Sequence, residues 1–286
     1  MHRRRWLGVM AAAACGWACP AAATPGGPPL RIGLAPYLPA PRLMLLFRPL
    51  REHLEAQLAR AVQFYTARDF RQLAADTRAR VFDAAMLPAH LAALAMSDWG
   101  YLPLSGTLAH TQVILLVRKD SPVQTAQDLR GQAIGTLDPL SLVAAVALRW
   151  LTEQGLALGT GAQAVRVAVQ PTVSSALHAL ARGEVAAVAV AEAQLHNLSA
   201  DTPIDHRRLV ELRDIPGPVF VASPTLPDVQ RLALVRALLS FQPDPAAALT
   251  AANTRHHALE PTALANLQAY VQVARRLMSE PTGTAR

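Results

Sequence analysis

Hydrophobic and polar positions along this chain switch repeatedly between two periods. Short apolar runs of four to six residues read as buried strands, and longer stretches with apolar residues three and four apart read as helices. Leu30-Arg31-Ile32-Gly33-Leu34-Ala35 predicts a first strand, closed by the loop Pro36-Tyr37-Leu38-Pro39. Leu43, Leu46, Phe47, Leu50, Leu54 and Leu58 then recur at helical spacing, with Pro49 expected at a kink or a helix start. Val62 to Thr66, Phe70 to Arg80 and Phe82 to Leu87 continue the series as strand, helix and strand. This order predicts an open, mainly parallel sheet with right-handed crossovers.

A second series follows. Thr111 to Lys119 is apolar almost throughout and long, as expected of a strand passing from one sheet to another. Ala133 to Thr136 predicts a strand that enters a tight turn and then the apolar helix Leu142 to Leu151. Val165 to Val169 is a strand, Pro171 to Gly183 a helix with a hydroxyl-rich start, and Val185 to Val190 a strand that delivers Glu192 at its carboxyl end. Leu209 to Leu212 leads through Ile215-Pro216-Gly217-Pro218 into Val219 to Ala222, read as a return strand to the first sheet. Asp228 to Phe241 and Pro261 to Met278 read as covering helices, and Ala246 to Leu259, with His256 and His257, as helix and loop.

Composition narrows the class. In 286 residues, 52% of them hydrophobic, there is enough apolar material for one or two cores without disulfides or metals. The formal charge of +7 invites a nucleic-acid or membrane reading, but the only basic run is Arg3-Arg4-Arg5. Without those three, 24 basic residues face 20 acidic ones, spread along the chain, so no nucleic-acid surface is expected. The basic start, the apolar run Trp6 to Ala18 and Ala21-Ala22-Ala23 predict a signal peptide over residues 1–23. The run is shorter than the roughly 20 residues that span a bilayer. Both cysteines, Cys15 and Cys19, fall inside the leader, so the mature chain would hold no thiol, disulfide or Cys metal site. Lipid attachment at Cys15 is disfavoured because Ala12 stands where a branched apolar residue is expected.

The candidate chemistry sits in loops at the carboxyl ends of strands, where ligands bind in open α/β sheets. Asp138 is expected to cap the helix beginning at Pro139, with Ser141 in its first turn. Such a place holds an anion by its free N–H groups, although an ordinary capped helix reads the same way. Thr172, Ser174 and Ser175 open a second helix expected to point in the same direction. From the first lobe, Tyr37 and Phe70 offer aromatic walls and His90 a polar contact; each equally fits a core or surface role. Adjacent His256 and His257 would not face one another on a helix, so no metal site is expected there.

The ordered series Leu30 to Pro36, Phe82-Asp83-Ala84-Ala85, Val117 to Pro122, Asp128-Leu129-Arg130-Gly131, Asp138-Pro139, Ala181-Arg182-Gly183-Glu184 and Ile215 to Pro218 resembles the periplasmic phosphate/phosphite/phosphonate-binding family of ABC transporters. The resemblance implies a type II clamp: two α/β lobes, each a mainly parallel sheet flanked by helices, joined by two crossing segments. Lobe one would comprise 28–110 plus 214–286 and lobe two 111–213, crossing near Ala109-His110-Thr111 and Arg213-Asp214-Ile215. It further implies a monomeric periplasmic protein that closes on a small anionic ligand and docks on a membrane permease, without cofactor or catalysis. Tyr37, Phe70, His90, Asp138, Ser141, Thr172, Ser174, Ser175 and Glu192 would line the site. Leu142 and Val143 depart from the family's run of hydroxyls after Asp-Pro, Thr172 stands where a histidine is common, and Phe70 lacks a phenol.

Two other classes stay open. A ligand-sensing protein could use the same clamp to present its ligand to a membrane receptor or sensor kinase, since a shared fold does not decide function. A hydrolase would need Ser141, His90 and Asp138 in concert, yet no Gly-x-Ser-x-Gly elbow or zinc pattern accompanies them.

Overall fold

The computed structural model describes residues 27–108, 111–195, 198, 202, 205–246 and 252–279. The expected signal peptide, with its cysteines, and the expected crossing at Ala109-His110 lie outside these residues. The chain begins β1(Leu30–Leu34), α1(Ala40–Leu58), β2(Val62–Thr66), α2(Phe70–Arg78), β3(Ala84–Leu87), α3(Ala89–Asp98) and β4(Leu102–Thr107). It continues with β5(Thr111–Arg118), β6(Ala133–Thr136), α4(Leu142–Glu153), β7(Arg166–Val169), α5(Val173–Ala181), β8(Ala187–Ala191), α6(Glu192–Leu195) and β9(His206–Ile215). β10(Val219–Ala222), α7(Asp228–Ser240), β11(His256–His257), α8(Pro261–Gln268) and α9(Val271–Ser279) complete it.

Two sheets result, β11-β4-β10-β3-β1-β2 and β7-β6-β8-β5-β9, each flanked by helices and each the centre of one lobe. In the first, β1 pairs parallel with β2 and β3, while β10 runs antiparallel to both β3 and β4. In the second, β6 pairs parallel with β7 and β8, while β5 runs against β8 and β9. β5 and β10 are the first strands after each passage between lobes. β10 therefore enters from the carboxyl ends of β1 to β4, and β5 from the end where β6 to β9 finish, so each runs against those strands.

Several elements differ from the sequence reading. β5 does not pass between sheets; it lies wholly in the second, between β8 and β9, and its apolar length reflects burial on both faces. β9 runs on to Ile215, which pairs with Thr111, so the second crossing falls at Pro216-Gly217-Pro218, after the expected Arg213-Asp214-Ile215. His256 and His257 form a two-residue edge strand against Thr107 and Gly106, where helix and loop were expected. Pro49 lies inside α1 and not at a helix start, one of the two places expected for it.

The main apolar cluster is shared by both lobes: Leu50, Met86 and Phe220 of lobe one belong to the same buried group as Leu140, Val146 and Leu151 of lobe two. A smaller cluster with Ile114, Leu177, Val188 and Val190 lies under α5. Gly33 shows how closely β1 is packed, because a Cβ there would stand 2.6 Å from the Phe82 ring. Gly33→Ala is expected to cost about 1–3 kcal/mol through overpacking, read as a lower urea midpoint with an unchanged slope. No helix among the described residues is long and apolar enough to cross a membrane.

Candidate functional site

The direction of the strands fixes where the lobes face each other. β4 ends at Thr107, whose N–H and hydroxyl both bond the Pro218 carbonyl, at 3.2 and 3.1 Å. Thr111 starts β5 beside Ile215, the last residue of β9. The loops after β1, β2 and β3 leave the same end of the first sheet as β4, and those after β6, β7 and β8 leave the same end of the second as β9. All six therefore open toward the crossings, where the sequence placed its candidate residues.

The turn between β6 and α4 is the most constrained of them. Ser141, not Asp138, caps α4: its Oγ accepts from the Ala144 N–H at 3.2 Å, and the helix starts at Leu142. Pro139 consequently lies two residues before the cap, outside the first helical position. Asp138 serves the preceding turn, its Oδ1 accepting from the Leu140 N–H at 2.8 Å. Its other oxygen reaches across to lobe one and accepts from the Phe70 N–H at 3.3 Å, at the start of α2. A carboxylate at a helix N-terminus is favoured by the local field and by charge-assisted hydrogen bonding. Asp69 already caps that helix through the Gln72 N–H at 2.7 Å, so two carboxylates share its first turn.

A second bond joins the lobes two residues on. His90, on the first turn of α3, is fully buried and places Nε2 2.8 Å from the Leu140 carbonyl oxygen. Burial lowers its pKa to about 4, only partly offset by that carbonyl, so the ring is neutral near neutral pH. Since the carbonyl can only accept, Nε2 carries the proton. Tyr37 meets Phe70 edge-on with ring centroids 5.7 Å apart. Phe70 is buried and Tyr37 is 38% exposed, with crowding around its phenol pushing that pKa up. The Tyr37 hydroxyl has no hydrogen-bond partner among the described residues. Tyr37 and Phe70 thus pack on each other, and Tyr37, Phe70, His90, Asp138 and Ser141 are brought to one seam.

The remaining candidates are differently engaged. Thr172 and Ser175 form a reciprocal capping box on α5, the Ser175 N–H reaching Thr172 Oγ1 and the Thr172 N–H reaching Ser175 Oγ, both at 3.0 Å. Ser174 Oγ lies 2.9 Å from Thr202 Oγ1. Glu192 opens the short α6 and pairs with Arg208 at 3.0 Å. No hydrogen bond among the described residues joins any of these four to lobe one. Thr136, at the end of β6, was passed over in the sequence; it is 1% exposed and its hydroxyl has no partner among the described residues.

One helix spans both lobes beside this seam. α9 packs on α3 and α4. Its Arg276 donates to the Leu158 carbonyl at 2.9 Å, and Arg149 of α4 lies 4.8 Å from the ring centroid of Tyr270, the residue before α9.

No curated protein matches the sequence. Among solved structures, XAC2383 of Xanthomonas citri, bound to chloride, is similar over 87% of this chain and 98% of its own, with TM-score 0.73 and 18% identity. A binding-protein component of an ABC phosphonate transporter from Pseudomonas aeruginosa gives TM-score 0.64 at 16% identity, covering 87% of each chain. PhnD1 of Prochlorococcus marinus, in complex with methylphosphonate, gives 0.62 at 12% identity over 87% of this chain and 97% of that one. These likenesses establish the two-lobed type II architecture. The family described as "ABC transporter, phosphonate, periplasmic substrate-binding protein" matches residues 32–267. A match over most of the chain, with two sheets whose carboxyl ends face each other across paired crossings, makes this chain a member of that periplasmic substrate-binding family.

Proposed function

We propose that the protein is the solute-binding component of an ABC importer and holds a small oxyanion such as phosphonate, phosphite or phosphate between its lobes. Lobe one is taken as 28–110 plus 216–286 and lobe two as 111–215, the second boundary following the Thr111–Ile215 pairing, in a protein exported by the leader 1–23 to the periplasm, where the closed form meets its permease. The observation that carries this reading is the seam itself: the loops after β2 and β3 meet the turn after β6 through Phe70–Asp138 and His90–Leu140. A ligand touching both sides of such a seam binds the closed state better than the open one, and that difference is what drives closure. The site residues are Tyr37, Phe70, His90, Asp138 and Ser141. Thr172, Ser174, Ser175 and Glu192 border it, their polar groups already committed to capping and to an ion pair.

Thermal unfolding of the mature chain with phosphate, phosphite and alkylphosphonates tests this directly. At a hundredfold excess over Kd, linkage adds about 2.7 kcal/mol, or about 5 °C in Tm for a protein of this size. Small-angle scattering with the same ligand should show a smaller radius of gyration. Unchanged Tm with all three classes would remove the proposal.

A further inference from the structure

Four strands form the edges of the two sheets, and three of them carry a device against further pairing. β11 has only two residues, and four-residue β7 carries Arg166. β9 carries Arg207, Arg208, Glu211 and Arg213 and breaks register twice against β5. β2 has none of these: Val62-Gln63-Phe64-Tyr65-Thr66 is five residues long, uncharged, and free of proline and of register shifts. Among the described residues no strand pairs with its outer side. The Ala61 carbonyl accepts from the Leu30 N–H of β1 at 2.8 Å, so by alternation Gln63 and Tyr65 bond inward while Val62, Phe64 and Thr66 turn their backbone groups outward. The Val62 N–H is taken from that outer side by Glu55 Oε1 at 3.1 Å, which leaves Phe64 and Thr66.

The open edge floors a groove of about 390 Å³ walled by Met44 and Arg51 of α1. Met44, Arg48, Arg51 and Glu55 follow one another at helical spacing on this side of α1, with Glu52 beside them. The basic groups precede the acidic ones along the helix and pair with them within the chain, Arg48 with Glu52 and Arg51 with Glu55. An antiparallel copy of the same stripe sets each arginine against a glutamate.

We propose that two copies of this chain pair through β2 and α1 about a two-fold axis at Phe64, fusing their first sheets edge to edge. The two Phe64 residues exchange both backbone bonds, and each Thr66 N–H reaches the Val62 carbonyl across the axis. Arg48 meets Glu55 and Arg51 meets Glu52 in the same way. Helices pack about 8–10 Å apart, about two strand spacings, so two α1 helices fit side by side over the fused edge. The carboxyl ends of the paired strands, and the second lobes beyond them, point in opposite directions, so neither clamp obstructs the other. This pairing replaces the monomer implied by the family resemblance, and it does not depend on which ligand the cleft holds. A strand about 17 Å long with the helix face above it offers on the order of 500 Å² per copy, near the lower limit of specific interfaces, and the expected Kd is micromolar.

Sedimentation equilibrium of the mature chain from about 1 to about 200 µM tests the proposal and should show monomer passing to dimer. The Phe64 amide should exchange with solvent at least about tenfold more slowly in the concentrated sample than in the dilute one. Arg48→Glu with Arg51→Glu, and separately Glu52→Arg, push the stripe toward one sign of charge, and each variant should weaken self-association at least about tenfold. Mixing the two variants should restore a dimer containing one copy of each. All three side chains lie at the surface, and thermal unfolding checks that both variants fold. A dimer that survives both variants, or that their mixture fails to restore, overturns the proposal. So does a Phe64 amide whose exchange ignores concentration. A chain that stays monomeric throughout overturns it as well and leaves the edge to a partner of another sequence.

Discussion

Acidification from about pH 6.5 to about pH 4 is expected to strip the protein of about 6 kcal/mol of stability. His90 and His256 are both buried, and burial lowers the pKa of each from 6.5 to about 4. His256 lies edge-on to Phe220 and Phe241, with Ser105 Oγ 3.2 Å from its Nδ1, and the nearby His257 and His53 lower it further. A histidine whose folded pKa lies below its unfolded value binds more protons when unfolded. Its contribution is therefore complete above about pH 6.5 and disappears as pH falls through the window to about 4. Each histidine contributes about 3 kcal/mol by this route, a large share of the 5–15 kcal/mol typical of a domain. Urea midpoints measured across the window should fall steadily, and His256→Gln should flatten about half of the slope. Asp98, held near a pKa of about 2 chiefly by its bond to Arg275, loses its contribution in the same direction but mostly below about pH 4, where its unfolded carboxyl titrates. A midpoint that stays level down to about pH 4.5 would contradict the assignment.

Phe220→Ala carries the other large effect, about 3–5 kcal/mol. Phe220 is fully buried on β10, paired between Met86 and Ser105, and its ring lies 5.3 Å from that of His256. Truncation leaves a cavity under the one strand that joins β3 to β4, so the first sheet cannot close over it. Chemical denaturation should report the loss in full. Combined with His256→Gln, the effects should fall short of additive, because the two rings share a packing interface. Wild-type-like stability in the single variant would place Phe220 outside the core.

How far the sequence revealed this arrangement depends on the range of the interaction behind each feature. Two sheets, the order of strands and helices, and the return of Val219 to Ala222 to the first sheet follow from local periodicity and were legible. The cap of α4 was misplaced because Asp138-Pro139 satisfies every local rule for a helix start. Asp138 instead bonds a turn and the amide of Phe70, 68 positions away, and no local pattern encodes that. His256 and His257 pair with Thr107 and Gly106 as an edge strand, again through a contact distant in sequence. The seam between the lobes was legible as loops but not as partners. Tyr37, Phe70 and His90 were named, whereas Thr136 resembles any strand-terminal threonine until its lack of a partner is seen in three dimensions.

Helix α9 changes what the paired crossings can do. A clamp mounted on two ribbons can swing about the line through them, but Arg276 on the Leu158 carbonyl and Arg149 over Tyr270 add a third mooring away from that line. Parting the lobes must then either stay within the slack of two arginine side chains or cast both moorings off together. How far the lobes can part is thus limited by a helix remote in sequence from the turn at Asp138 and Leu140.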